Sequence, residues 1–354
     1  MIRTQAEVSW QTIGFFVAAV LLSALSAMAD EPKNAERLPR LILAHYMPWY
    51  VTKPASDQWG WHWTMNHFDP EQSNAGKRQL ASQFYPLIGQ VERLGMKFLI
   101  CYEDQTLPAL IKAKRLEANA SVSHVVSEID WVAQHWFTLK SYIRLNDRQV
   151  ILSFGNAGLT NAEWTQAIQG LSGPVAYFSE HICRDGAVGG FDWPIPQEGL
   201  ERTLRFGEIS RAWTHAMPVV YPRFVDIYNE AKVSDGYVDI EDNDGKTFRA
   251  SLEYALALTA PLIQLATWND WGEGTNIEPS EEFGYRDLEI LQQVRKKHMA
   301  LRFAPGPGDL RMPRKLLDLR RLKVHRQQKL DAIAENIANV RLELAKRQID
   351  YLLK

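Results

Sequence analysis

Cysteine is nearly missing. The 354 residues contain two, Cys101 and Cys183. Two thiols cannot build a disulfide-dense scaffold, and neither sits in a CxxC pair, which excludes the common thiolate metal and redox motifs. One bond between them is all that stays open. Charge of one sign is lacking too. The 40 Lys and Arg balance 42 Asp and Glu, a formal net charge of -2, so there is no basic field to draw nucleic acid. The chain has no GxGxxG and no GxxxxGK[ST], the glycine turns that cradle dinucleotides and triphosphates. Beyond Ala29 no segment is long and apolar enough to cross a bilayer.

What is present is a hydrophobic fraction of 46% and 12 tryptophans. The first suits one domain of barrel size or two smaller ones. The second fits a large aromatic core or flat platforms that stack on sugar rings. At the N-terminus, Arg3 precedes an uncharged run from Val8 to Ala29 that ends in Ala27-Met28-Ala29, a small-x-small cleavage pattern. This is the form of a secretory signal peptide over 1–29, which predicts a secreted or periplasmic protein with no membrane span after cleavage. An uncleaved anchor is the competing reading.

Short apolar runs then alternate with amphipathic stretches. The strand candidates are Leu41–Tyr46, Lys97–Glu103, Gln149–Phe154, Pro174–Ser179, Ala187–Asp192, Pro218–Pro222, Gly236–Glu241 and Leu262–Trp268. Several are almost wholly apolar, as parallel strands covered on both faces should be. Helical spacing recurs in Lys77–Leu94, Ser127–Leu145, Asn161–Leu171, Phe224–Ala231 and Thr247–Leu258. Eightfold alternation predicts an α/β fold, a (β/α)8 TIM barrel over 36–304, with a doubly wound sheet as the alternative. The break Ala304-Pro305-Gly306-Pro307-Gly308 opens a C-terminal helical extension over 305–354. It reads as a helix or helical hairpin packed on the barrel, or as a contact through which two chains dimerise.

Such a barrel keeps its chemistry at the C-terminal ends of its strands. Those ends supply His45, Tyr46 and Trp49; Glu103 and Asp104; Asn156; Glu180 and His181; Asp192 and Trp193; Tyr221 and Arg223; Glu241 and Asp242; and Trp268, Asn269, Asp270 and Glu273. Acids to move protons beside aromatics to stack on a ring face are what a carbohydrate site needs, although strand ends meet solvent and carry charge in any case. Glycoside cleavage uses two carboxyl groups, one to protonate the leaving oxygen and one as nucleophile or base. Asp270 and Glu273, three apart in TWNDWGEGTNIEP, are the candidate pair. Crowding should raise the pKa of one of them. The plainer reading is a capped loop whose acids bind backbone amides. Candidate sugar contacts are Tyr46, Trp49, Trp63, Glu103, Tyr221, Arg223, Glu241 and Trp271. A second tryptophan cluster, WGWHWTMNHFDP from Trp59 to Pro70, offers a sugar platform or a plug over the barrel mouth. His62 and His67 lack the spacing of a zinc helix. No metal and no cofactor is expected.

HYMPWY, WGWHW, CYEDQT, YVDIEDNDGKTF and WNDWGEGTNIEP, in that order between Leu41 and Ile290, resemble glycoside hydrolase families 71 and 99. The resemblance implies a (β/α)8 barrel that cleaves internal α-linkages, in α-1,3-glucan for family 71 and in α-mannosides for family 99. It implies that Glu273 is the general acid/base. It also implies that Asp270 takes the place of a glutamate that deprotonates the sugar's own 2-hydroxyl. Asp270 is one methylene shorter than that glutamate, and Gly272 stands where family 99 usually has His. Three expectations follow: a secreted endo-α-glycosidase acting on an oligosaccharide or polysaccharide; a glycan-binding protein without catalysis on the same scaffold; and an assembly protein working through its C-terminal helix.

Overall fold

A computed structural model describes residues 15–20, 40–48, 59–65, 67, 91, 92, 95–155, 157–298, 305–322 and 326–353. Trp49, Asn156, the side chain of Trp63 and most of the helix expected over 77–94 lie outside the described residues.

The strands are β1 Phe15–Val20, β2 Leu41–Ala44, β3 Lys97–Glu103, β4 Arg144–Leu145, β5 Arg148–Phe154, β6 Val175–Glu180, β7 Gly189–Phe191, β8 His215–Met217, β9 Val219–Val220 and β10 Leu262–Leu265. The α-helices between and after them are α1 Trp61–Thr64, α2 Thr106–Lys112, α3 Ser121–Trp136, α4 Asn161–Gly170, α5 Gly199–Leu204, α6 Phe206–Ile209, α7 Lys246–Ala257, α8 Arg286–His298, α9 Met312–Arg321, α10 Gln327–Ala338 and α11 Leu342–Leu352.

The expected parallel α/β arrangement is present. β3, β5, β6, β7 and β8 pair in parallel in that order, and β2, β10 and β9 form a second parallel set. Pro218, which has no N–H to give to a ladder, separates β8 from β9 and so divides the two sheets at one strand. Among the described residues the hydrogen-bonded ladder does not run round into a closed ring. β1 falls within the run expected as a signal peptide. It pairs antiparallel with β3, from Phe15↔Tyr102 to Val20↔Lys97.

Side-chain alternation sorts the strands into two faces. Tyr102, with its ring 5.9 Å from Trp164 and its hydroxyl donating to Glu128, faces the helices. Cys101 and Glu103, one residue either side, therefore face the opposite way. Trp164 on α4 is fully buried, and its indole N–H donates to Asp104 Oδ2 at 3.0 Å, which ties the helix layer to the end of β3. Thr160 and Glu163 close a reciprocal capping box that starts α4.

Three expected elements differ. The helix expected over Ser127–Leu145 runs Ser121–Trp136, and Arg144–Leu145 is strand β4, paired antiparallel with β5. Gly236–Glu241 is not a strand: Ile240 alone bridges Phe224, antiparallel, while β9 pairs directly with β10. Phe224–Ala231 is not a helix, because its amides are spent elsewhere. Val225 N–H donates to Glu273 O, Ile227 N–H to Gly272 O, and Tyr228 N–H to the Asp226 side chain. The C-terminal segment forms α9, α10 and α11 around a separate apolar centre that includes Leu316, Leu319, Leu330, Ile333 and Ile349. Among the described residues, no helix is long and apolar enough to cross a membrane.

Candidate active site at the strand ends

The loop after β10 folds back on itself and is bolted to two neighbours. Thr267 N–H donates to Thr275 O, Ile277 N–H to Thr267 O, and Glu278 N–H to Trp268 O. The Asn269 side chain clasps the chain just beyond β2: its Oδ1 accepts from Met47 N–H at 2.7 Å and its amide donates to Met47 O at 3.0 Å. Inside the loop, Asp270 N–H donates to Thr267 Oγ1 at 2.8 Å, and Asp270 Oδ1 accepts the backbone N–H of Glu273 at 3.0 Å. Asp270 thus fixes the turn that carries Glu273. Gly274 makes the turn possible, since its φ is +68° and a Cβ there would stand 2.5 Å from Val225 O. At Gly272 a Cβ would stand 2.9 Å from Met65 Cε, so the missing side chain makes room for buried Met65 from the tryptophan-rich segment.

Arg223 supports this loop from beneath. It is 2% exposed, donates to Gly274 O and Asn276 O, and pairs with Asp287 at 2.8 Å and Asp242 at 3.3 Å. Its guanidinium also lies 3.5 Å from the centre of the Phe283 ring.

Electrostatics single out Glu273. Burial, and then the Asp270 carboxylate, push its pKa well above the usual carboxylate range. Tyr228 Oη donates to Glu273 Oε1 at 3.3 Å and opposes part of that rise. Asp226 and Glu103 add smaller upward contributions. Glu103 itself is pushed up to about 8 by burial, then by Asp104 and Glu180. Glu103 closes β3 abreast of Phe154, and Glu180 closes β6 one residue beyond the Ser153↔Ser179 pair, so the two acids end nearby strands at one level. Burial also raises Glu180, against His181 and the Gly155 N–H that it accepts at 2.8 Å. Glu278 rises to about 7 through burial, opposed by a hydrogen bond from the Trp271 side chain, and its charge in turn adds to the burial that raises Tyr46. Burial lowers His45 to about 3, and its ring meets Trp193 edge-on at 4.9 Å.

The sequence candidates therefore divide. Glu273 interacts with Asp270 and Glu103, while Tyr46 and Trp271 both meet Glu278 on the same loop. Tyr221 is fully buried with its hydroxyl 2.9 Å from Thr203 Oγ1. Arg223 is spent on the loop and on aspartates, and Glu241 is an exposed residue whose carbonyl accepts from Thr247 Oγ1. Both cysteines are free. Tyr228, Asp226 and Glu278 were not among the sequence candidates. Glu278 stood inside the quoted motif; Tyr228 and Asp226 carried no local signal, since a tertiary pairing brings them to the acid. Among the described residues, no group of His, Cys, Asp and Glu is arranged to hold a metal ion.

No protein-family model matches this sequence, and no curated protein matches it. Solved structures give partial likenesses. The family 99 endo-α-mannosidase of Bacteroides thetaiotaomicron aligns at 14% identity and TM-score 0.41 over 49% of this chain and 62% of that one. Its complex with bis-tris propane aligns at 13% identity and TM-score 0.40, over 51% and 68%. A glycoside hydrolase-like protein aligns at 17% identity and TM-score 0.38, over 51% and 63%. The chain thus spans about three fifths of the length of the first of these proteins.

Proposed function

We propose that the chain is a glycoside hydrolase that cleaves internal α-linkages of an α-mannan or α-glucan, exported across the inner membrane to act in the periplasm or outside the cell. One observation carries this reading: Glu273 stands on the loop that follows β10, on a turn held by Asp270 Oδ1, where burial and the Asp270 carboxylate raise its pKa well above the usual carboxylate range. A protonated Glu273 gives its proton to the leaving glycosidic oxygen as the C–O bond breaks, and water supplies the oxygen that replaces it on the anomeric carbon. Asp270 has two effects. Its charge keeps the acid protonated before transfer, and the same charge favours the positive character that grows on the sugar ring. Tyr228 holds Glu273 Oε1. Tyr46 and Trp271, coupled through Glu278, supply aromatic surface, and Glu103 and Glu180 supply hydrogen-bonding groups for sugar hydroxyls. Export is supported by the N-terminal pattern, and the substrate class by the motif resemblance.

The test is release of new reducing ends from a panel of α-mannans and α-glucans. Wild type should cleave at least one. Glu273→Gln should lower kcat by about 10²–10⁴-fold. Asp270→Asn should lower kcat too, and move the alkaline limb of the pH profile down, because the charge that holds the proton on Glu273 is gone. Full activity in both variants would remove the assignment. Saturable glycan binding by a wild type that releases no reducing ends would instead support a non-catalytic glycan-binding protein, a reading that the shortened acid at 270 keeps open.

A further inference from the structure

The segment between Phe224 and Ile240 carries an aromatic face that the catalytic reading leaves unused. Tyr237 is 52% exposed and its neighbour Val238 is 63% exposed. The Tyr237 ring stands edge-on to Phe224 at 5.9 Å and to Tyr228 at 6.3 Å. Tyr228 is the residue whose hydroxyl donates to Glu273 Oε1 at 3.3 Å. One ring therefore separates Tyr237 from the proton donor.

The arrangement is pinned. The Asp226 carboxylate accepts both tyrosine amides, Tyr228 N–H on Oδ1 at 2.8 Å and Tyr237 N–H on Oδ2 at 2.7 Å. Gly236, at φ +76°, brings the backbone so close that a Cβ would stand 2.9 Å from Asp226 Oδ1. Val225 and Ile227 tie the same segment to the carbonyls of Glu273 and Gly272. A lone exposed aromatic needs no explanation. An exposed aromatic whose backbone is clamped, and which is joined through hydrogen bonds to the turn of the acid, is pre-ordered, so a ligand that stacks on it loses little conformational entropy.

We infer that Tyr237 is the stacking platform for the sugar on the leaving-group side of the scissile bond, taking the apolar C–H face of a pyranose. This rests on Glu273 being the proton donor. The donor stands beside the glycosidic oxygen, the sugar beyond that oxygen lies on the donor's flank, and Tyr228 and Tyr237 form that flank.

The experiment compares two substrates of one sugar: the panel glycan that wild type cleaves, whose leaving group is a sugar chain, and the matching α-glycosyl fluoride, whose leaving group is fluoride. Tyr237→Ala should lower kcat/KM on the glycan by about tenfold or more, mainly through KM. That loss should exceed the loss on the fluoride by about the same factor, and Tyr237→Phe should recover most of it. Equal losses on the two substrates, or no loss on the glycan, would overturn the platform. Saturation-transfer NMR with the same oligosaccharides keeps the two readings apart. If wild type binds a glycan without cleaving it, hydrolysis is wrong and the leaving-group assignment falls with it, and weaker binding by Tyr237→Ala would leave Tyr237 as a sugar contact only. If no panel glycan is bound or cleaved, both are wrong.

Discussion

Glu103, Glu180, Glu273 and Glu278 are half-buried carboxyls, and the pKa of each is raised chiefly by burial. A raised carboxyl costs stability once the unfolded chain can ionise and the folded one cannot do so freely. For Glu103 the window runs from its ordinary 4.5 to about 8. Its contribution is fully present below 4.5 and is lost as pH rises through that window. Replacing it by an uncharged isostere removes the loss. Glu103→Gln should therefore melt close to wild type at pH 4 and above wild type at pH 8, with the gap widening between; thermal melts across pH check this. A gap that is constant with pH would mean that Glu103 ionises as freely as it does in the unfolded chain. With Glu273 as the proton donor proposed above, the same physics should place the alkaline limb of kcat/KM above the usual carboxylate range, which a pH–rate profile checks.

The element that matters most is the loop from Thr267 to Glu278. Its rigidity comes from short backbone bonds across its neck, from Asn269 on Met47, and from the Arg223 guanidinium below. Gly274→Ala should cost about 2 kcal/mol or more in urea denaturation, since it places a Cβ against Val225 O at a positive φ. It should also lower kcat, because the Glu273 carbonyl is bonded to Val225 N–H next to that contact. Arg223→Met leaves Asp287 buried without its main partner and should destabilise by about 3–5 kcal/mol, measured the same way. Gly272 is a milder case. Its close neighbour is the flexible end of Met65, so Gly272→Ala should be tolerated better than Gly274→Ala, and Met65→Ala should relieve most of its cost.

At the scale of the molecule, the chain divides its apolar residues between the sheet–helix core and the centre within α9, α10 and α11. The link between them includes an Arg311–Glu289 pair at 2.8 Å, the Arg311 guanidinium 4.6 Å from the Tyr285 ring centre, and Lys296 Nζ donating to Pro305 O. The exposed pair is worth about 0–1 kcal/mol. If these helices only pack on the sheet–helix core, a chain ending at Gly308 should keep a cooperative melt and release reducing ends within about twofold of the full chain. Loss of activity on truncation would point instead to an assembly role for the C-terminal helices. Leu344 and Tyr351, 47% and 75% exposed one heptad apart on α11, are the positions at which to test the dimer contact expected of this extension. Sedimentation velocity of the full chain against Tyr351→Ser tests it.

The sequence by itself determined the strands that are buried on both faces. The expected bounds match β3, Lys97–Glu103, to the residue and β5, Arg148–Phe154, to within one, because a strand covered on both faces is almost wholly apolar between its ends. The acid turn was legible only in part: Asp270 Oδ1 accepts the Glu273 amide three residues on, as in the capped-loop reading, while Val225, Met47 and Arg223 hold the loop from distant parts of the chain. Tertiary structure decided the rest. Gly236–Glu241 has the composition of a strand, but its amide at Tyr237 goes to an aspartate eleven residues back and the neighbouring strands pair without it. Arg223 ends a strand as a sugar contact would, yet its charge is spent on Asp287, sixty-four residues on. Tyr228 reaches Glu273 across forty-five residues. Hydrophobic periodicity records which side of an element is dry. It does not record which distant carboxylate, amide or ring will meet a given side chain, and that meeting decides whether a polar residue at a strand end holds the loop or faces the ligand.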